Sequence, residues 1–219
     1  MSEDESDAIE DQEPDLGSYE GERNEKDERH GHGKATFSNK DSFEGKYQFG
    51  KRHGLGKYRF KNGARYDGEY VENKKHGQGT FIYPDGSKYE GSWVENKRHG
   101  SGLYTYTNGD IFEGEWFDDK RHGQGVYTWN DTKSRYEGAW ANGRREGEGR
   151  LVHTNGITLQ ATFLQDQPQG QAVYSFEQND SRQEGQYVLE EQPPPENEDA
   201  DDYVPVSVPK WVGAKVISN

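Results

Sequence analysis

Residues 66–88 read Tyr66-Asp67-Gly68-Glu69-Tyr70-Val71-Glu72-Asn73-Lys74-Lys75-His76-Gly77-Gln78-Gly79-Thr80-Phe81-Ile82-Tyr83-Pro84-Asp85-Gly86-Ser87-Lys88, and this unit recurs along the chain. Aromatic-acid-glycine triplets begin at Tyr19, Phe43, Tyr66, Tyr89, Phe112 and Tyr136, and His-Gly-x-Gly begins at His30, His53, His76, His99 and His122. Glu146 replaces the histidine in a sixth copy, a seventh beginning at Leu159 is degenerate, and Glu184-Gly185-Gln186-Tyr187 is the stub of an eighth. A fixed short period of this kind is the signature of a repeat architecture. Within each copy the pattern alternates with period two, so Tyr66, Gly68 and Tyr70 share one face of a strand and the two acids share the other. Asn62-Gly63, Asp85-Gly86, Asn108-Gly109 and Asn155-Gly156 predict two-residue type I′ turns.

The expected fold is all-β, an elongated single-layer antiparallel meander with two strands per repeat. Its composition agrees: only 28% of the 219 residues are hydrophobic, too few for a thick core, while five Trp, fourteen Tyr and nine Phe together equal the 28 glycines. A sheet without a second layer must lay its large rings across neighbouring backbone, and bare glycines leave room for that. Tyr70, Trp93, Trp116, Trp140 and Phe163 then form one row, and Phe60, Tyr83, Tyr106, Trp129 and His153 another.

The net charge of −14 is unevenly spread. Residues 1–18 hold eight acids and no base, and residues 190–202 hold seven more, again without a base. Dense like charge and the run Pro193-Pro194-Pro195 predict disorder there. The resulting plan is an acidic N-terminal tail (1–18), six repeats (19–158), a degenerate capping region (159–188), an acidic Pro-rich linker (189–202) and an apolar segment (203–219). That last segment, with Val204, Val206, Val208 and Trp211, is expected either to dock a partner by strand addition or to strap its own sheet.

Several function classes fall away. The chain has no cysteine, which removes disulfides, thiolate nucleophiles and Cys-ligated zinc. No run approaches the roughly 18 apolar residues of a membrane helix, and the acidic start is unlike a basic leader, so an intracellular protein is expected. Acidity argues against nucleic acid as a partner. Equivalent histidines two strands apart lie about 9–10 Å from each other, too far for a shared metal, whose nitrogen ligands approach within about 4 Å. His-Gly-x-Gly precedes a strand rather than the helix that a phosphate-cradling loop opens. Every candidate acid recurs at a repeat position, so no enzyme, no cofactor and no metal are expected.

What remains is surface. The basic pairs Lys51-Arg52, Lys74-Lys75, Lys97-Arg98, Lys120-Arg121 and Arg144-Arg145 occupy one repeat position and are expected to line one edge of the ribbon. A single layer cannot hide all of its aromatic area, so Tyr70, Trp93, Trp116, Trp129, Trp140 and Trp211 are the expected partner anchors.

The unit from Tyr89 to Ile111 resembles the MORN (membrane occupation and recognition nexus) repeat, well over residues 19–158 and weakly over 159–188. The flanks, GERNEKDERHGHG at residues 21–33 and Val208-Pro209-Lys210-Trp211 near the end, are similar to those of the MORN subunits of ciliary radial spoke heads. The resemblance implies a non-enzymatic scaffold in the axoneme of motile cilia, flagella and male germ cells. It would dock other radial spoke head proteins, with a homodimer left open. The alternative is a peripheral module for anionic lipid, in particular phosphoinositide.

Overall fold

The computed structural model describes residues 16–191 and 207–218. The acidic stretches 1–15 and 192–206, expected to be disordered, lie outside the described residues, whereas residues 16–18 and 189–191 already belong to strands. The chain divides into two compact units between Thr107 and Asn108. The first carries β1 (Leu16–Arg23), β2 (Arg29–Phe37), β3 (Ser42–Gln48), β4 (Lys51–Arg59), β5 (Arg65–Val71), β6 (Lys74–Ile82), β7 (Lys88–Val94) and β8 (Lys97–Thr105). The second carries β9 (Ile111–Phe117), β10 (Lys120–Thr128), β11 (Arg135–Ala141), β12 (Arg144–Val152), β13 (Ile157–Leu164), β14 (Gln167–Phe176), β15 (Ser181–Glu191), β16 (Ser207–Gly213) and β17 (Ile217–Ser218). Consecutive strands pair antiparallel from β1 to β8 in the first unit and from β9 to β16 in the second, where β17 returns to pair with β15, and among the described residues the sole helical element is the 3₁₀ turn Glu177–Asn179. The fold is therefore the all-β single-layer meander that the period predicts.

One contact repeats throughout. The Tyr66 ring lies along its own strand over Gly68 and over Gly79 of β6, and its hydroxyl donates to the Glu69 carbonyl at 3.1 Å. Tyr89 and Tyr136 do the same over Gly91/Gly102 and Gly138/Gly149, and Phe43 and Phe112 cover their glycine pairs without the hydroxyl. A Cβ on Gly68 would lie 2.5 Å from the Tyr66 hydroxyl oxygen and 2.6 Å from the Gly79 Cα.

The turns differ from expectation. At Asn62-Gly63 the loop has three residues: Phe60 N donates to the Ala64 carbonyl at 2.9 Å and Gly63 N to the Phe60 carbonyl at 3.0 Å. Gly63 has φ +92°, while the Asn62 side chain accepts from Ala64 N at 3.0 Å. This is a type I turn with a glycine bulge, and Asp85-Gly86 and Asn155-Gly156 repeat it. At Asn108-Gly109, Gly109 has φ +83° and the Asn108 side chain accepts from Asp110 N in the same way. The asparagine or aspartate prefers to bond the backbone two residues on, which ties its own φ to the ordinary region.

The type I′ turns sit at the other end of the strands. Glu72-Asn73 has φ +47° and +74°, and Glu95-Asn96, Asp118-Asp119, Asn142-Gly143, Gln165-Asp166 and Phe49-Gly50 are likewise positive at both positions. Side chains there oppose that geometry by about 1–2 kcal/mol per residue. A clasp to the preceding repeat offsets the cost: Asn73 N donates to the Arg52 carbonyl at 3.0 Å, and Arg52 N returns a bond to Asn73 Oδ1 at 2.7 Å. Asn96 clasps Lys75, and Asp166 clasps Arg145, by the same pair of bonds.

His-Gly-x is a bulge. Gly45 faces Gly56 and Tyr47 faces Arg52, so Lys46 alone opposes His53, Gly54 and Leu55. In alternate repeats a carboxylate fills the bulge: the amides of His32, Gln78 and Gln124 donate to Glu22, Glu69 and Glu115 at 2.9–3.0 Å.

The two kinds of glycine predict different penalties. Gly68→Ala should cost about 3 kcal/mol, because neither the Tyr66 ring nor the β6 backbone has room to yield. Gly63→Ala meets no atom within 4 Å, so only its positive φ is penalised, at about 1 kcal/mol. Urea midpoints of the two variants test this ordering.

Candidate partner-docking site

The ring-bearing face is built in two tiers. Over the glycine-covering rings, Tyr70 and Trp93 drop edge-on: Tyr70 meets Phe43 and Tyr66 at 5.3 and 5.2 Å, both at 87°, and Trp93 meets Tyr66 and Tyr89 at 5.4 and 5.2 Å, at 86° and 89°. In the second unit Trp140 meets Phe112 and Tyr136 in the same way. Each edge-to-face contact contributes about 0.5–1.5 kcal/mol beyond burial. The indoles also donate to strand carbonyls, Trp93 to Gly79 at 3.2 Å and Trp140 to Gly125 at 3.3 Å.

The herringbone is sealed by half of each basic pair. Arg52, Lys75, Arg121 and Arg145 point to the ring face and lie directly across the strand pair from Tyr47, Tyr70, Trp116 and Trp140. Each caps the next ring: Arg52 stands 5.3 Å from the Tyr70 centroid, Lys75 4.4 Å from Trp93, Arg121 4.5 Å from Trp140 and Arg145 5.3 Å from Phe163. Arg98, opposite Trp93, is buried over Tyr104 at 5.4 Å. The other members, Lys51, Lys74, Lys97 and Lys120, are exposed on the opposite face, with Lys51 and Lys74 paired to Glu72 and Glu95 at 3.3 and 3.6 Å. The expectation of one continuous basic rim is thus corrected: adjacent residues on a strand point to opposite faces, so each pair divides.

The same capping changes the standing of the expected anchors. Trp93, Trp116 and Trp140 are only 2%, 4% and 6% exposed, and Tyr70 is equally buried. They form core within one chain. On the ring face, Phe60 and Tyr106 in the first unit and Trp129 in the second stay half-buried beside the loops that follow them. Trp211 is the other half-buried indole. β16 adds to the free edge of β15, Tyr187 faces Trp211, and the Trp211 ring lies on Gly185 with its centroid 5.0 Å from that of Tyr174. Of the two roles expected for the C-terminal segment, the structure displays strand addition to its own sheet.

The sequence reading did not single out the apolar residues of the opposite face. Val71 and Val94 in the first unit, and Phe117, 52% exposed, in the second, each directly precede a type I′ turn. The signal was present, since period two places them opposite the buried ring just before them. The histidines of the His-Gly-x-Gly bulges share that face; His30 packs on Phe49 and His122 on Phe117 at centroid distances of 5.4 and 5.7 Å. Among the described residues no group of three or more His, Asp or Glu is placed to hold a metal ion.

Polar latches tie the loop ends together. The buried Asp110 carboxylate accepts from the Tyr127 hydroxyl at 2.6 Å, Asn130 N at 2.7 Å and the Asn108 amide at 2.9 Å; Asp41 holds Tyr58 and Lys61 N in the same way, both at 2.8 Å. Burial acts to raise the Asp110 carboxyl, but the three donated bonds outweigh it and hold it below its ordinary value. Burial pushes the Tyr136 phenol up to about 12 and raises those of Tyr58, Tyr66 and Tyr70, so these hydroxyls remain protonated donors at neutral pH.

Comparison with known proteins adds three findings. The MORN repeat matches at residues 25–42, 43–65, 66–88, 89–111, 112–132, 136–158 and 160–181. The Mus musculus protein "Radial spoke head 1 homolog" is 68% identical over 37 residues, which cover 17% of this chain and 12% of that protein. Among solved structures, the SAS-4 (dCPAP) TCP domain of Drosophila melanogaster, in complex with a proline-rich motif of Ana2 (dSTIL), is 9% identical with a TM-score of 0.45, covering 72% of this chain and 83% of that one. A mutant TCP10 domain of Danio rerio CPAP is 14% identical with a TM-score of 0.32, covering 75% and 86%.

Asp110 supplies a pH prediction. A carboxyl depressed in the folded state stabilises above its ordinary value of 3.8, and that contribution is lost as pH falls through the folded value. Asp110→Asn should therefore lower stability by about 2 kcal/mol at neutral pH. Its deficit against the parent chain should close in acid, read as converging melting temperatures.

Proposed function

Because the chain belongs to the MORN-repeat family, with matches over most of its length, we propose that it is a non-enzymatic structural subunit of the radial spoke head of motile cilia and flagella, located in the axoneme. In this role it docks other spoke-head proteins and thereby supports ciliary motility. The match to the mouse radial spoke head 1 homolog favours this assignment over other settings in which MORN repeats occur.

The observation that carries a docking role is the division of the aromatic residues. Most are consumed in making the sheet rigid, yet Phe60 and Tyr106 in the first unit and Trp129 in the second stay half-open beside their loops, and Trp211 stays half-open on the added strand. Indole and phenol rings on a rigid backbone are efficient interface anchors, because little side-chain entropy is lost when a partner covers them. Catalysis has no comparable support, since the buried carboxylates Asp41 and Asp110 are engaged in loop latches. The lipid reading is weakened by the pairing of Lys51 and Lys74 with glutamates on the face they occupy.

Affinity purification of a tagged chain from ciliated cells should recover spoke-head subunits. Trp129→Ala with Trp211→Ala should reduce that recovery at least tenfold, a loss of about 1.4 kcal/mol, while circular dichroism stays unchanged. Recovery of no axonemal protein would sink the assignment. Robust flotation with phosphoinositide vesicles at physiological salt would favour the lipid module.

A further inference from the structure

The His-Gly-x bulges on the face opposite the rings are anion seats, and the chain fills only every second one. Glu22, Glu69 and Glu115 each turn a carboxylate into the bulge of the next strand, where it accepts the amide of His32, Gln78 or Gln124 at 2.9–3.0 Å. The glycine before that amide makes the room: a Cβ on Gly77 would lie 2.5 Å from the Glu69 carboxyl carbon. Amides turned out of a ladder in this way form concavities that favour negative charge. In the repeats between, the equivalent positions hold Lys46, Ser92 and Ala139. Their nearest atoms stand 3.4–3.5 Å from a Cβ on Gly54, Gly100 or Gly147, and among the described residues no carboxylate reaches the amides of Leu55, Ser101 and Glu148.

One of the three open seats has the charge to attract an anion. Lys46 alone opposes the bulge His53-Gly54-Leu55, and the register turns the Leu55 amide toward it as that of Gln78 turns toward Glu69. Lys46 has neither an ion pair nor a hydrogen bond among the described residues. It stands in an open groove of about 520 Å³ with His30, His32, Gln48 and His53. Glu22, the one carboxylate lining that groove, is already engaged by the His32 amide. His30 Nδ1, buried in the same lining, lacks a hydrogen-bond partner among the described residues. The other two open seats are unlike it. Ser92 Oγ accepts from the Gln78 side chain at 2.8 Å, and the third bulge carries Glu146 and Glu148, which repel an anion.

We propose that the His53-Gly54-Leu55 bulge, with Lys46, is a docking site for an acidic peptide. A partner's glutamate or aspartate inserts its carboxylate where Glu22, Glu69 and Glu115 sit in the sister bulges, and accepts from the Leu55 amide and the Lys46 ammonium. The ligand is a carboxylate because that is the group these bulges hold three times in the same chain. Hydrogen bonds in which one partner is ionised are about twice as strong as neutral ones, so a single inserted side chain gives a definite anchor. Gln48 and the histidines line the path along which the rest of the peptide lies. The site is on the face opposite the half-buried rings. It therefore does not rest on those rings as anchors, nor on which assembly the chain joins.

Lys46→Glu tests this directly, because it installs the residue that fills the sister bulges. The full chain carrying it should keep or raise the parent's melting temperature. It should nevertheless bind a fluorescein-labelled peptide of glutamates spaced by glycine and serine at least tenfold more weakly, read by anisotropy. Lys61→Glu makes the same charge change on a loop of the same unit and should bind as the parent does. In the parent, the Leu55 amide proton should move downfield as peptide is added, toward the position of the Gln78 amide proton. That readout needs no substitution, so it decides the matter even where Lys46→Glu misfolds. Equal binding by the parent and Lys46→Glu overturns the proposal, as does an equal loss in Lys61→Glu, which would mean that net charge alone is felt. So does a Leu55 amide unmoved by peptide, or one already downfield in the free chain, the mark of a seat filled by the chain's own acids. Downfield movement with inorganic phosphate or phosphoinositide vesicles, and none with the peptide, would reassign the seat to phosphate and overturn the carboxylate reading.

Discussion

The placing of an aromatic ring flat over two glycines on adjacent strands governs the rest of this protein. A single-layer sheet has no facing layer to remove its surface from water, so the covering atoms must come from the sheet itself. Tyr66 can lie down because Gly68 and Gly79 raise no Cβ beneath it, and its hydroxyl finds a carbonyl beside the His-Gly bulge, where the ladder is interrupted. Once that ring is flat, Tyr70 and Trp93 meet it edge-on, and Arg52 and Lys75 close over them. Glycine, phenol, indole and guanidinium thus form one stack, and loss of the glycine removes the seat of every group above it.

That stack also explains the separation of the surfaces. Burial of the ring face leaves little for a partner except its margin, where Trp129 and its counterparts remain half-open. The opposite face carries the exposed charges, the histidines of the His-Gly bulges and the isolated apolar residues Val71, Val94 and Phe117. The clasps made by Asn73, Asn96 and Asp166 couple each repeat to the one before it. A partner gripping one margin therefore grips a braced array of strands rather than a single hairpin.

The division between what was legible and what was not follows range. Period, strand number and the matching of rings to glycines are written in short-range alternation, and they hold. The turn types were misplaced because Asn-Gly satisfies two geometries. The side-chain bond from Asn62 to Ala64 selects the three-residue loop, and the clasp from Asn73 to Arg52, twenty-one residues away in sequence, is what sustains Glu72-Asn73 at positive φ. The basic pairs looked like one feature because neighbours in sequence are separated by the pleat only after the strand exists.

Sequence by itself determined an all-β repeat array, its unit length, its membership in the MORN-repeat family and the concentration of acid outside the repeats, because each of these is a property of composition or spacing. Tertiary structure alone decided that Trp93, Trp116 and Trp140 are core while Trp129 and Trp211 stay accessible. It also decided that Arg52 and Lys75 seal rings. The physical reason is that burial and charge pairing depend on which residue of a neighbouring strand lies opposite, and that register is set by the bulges and clasps rather than by the residues whose fate it decides.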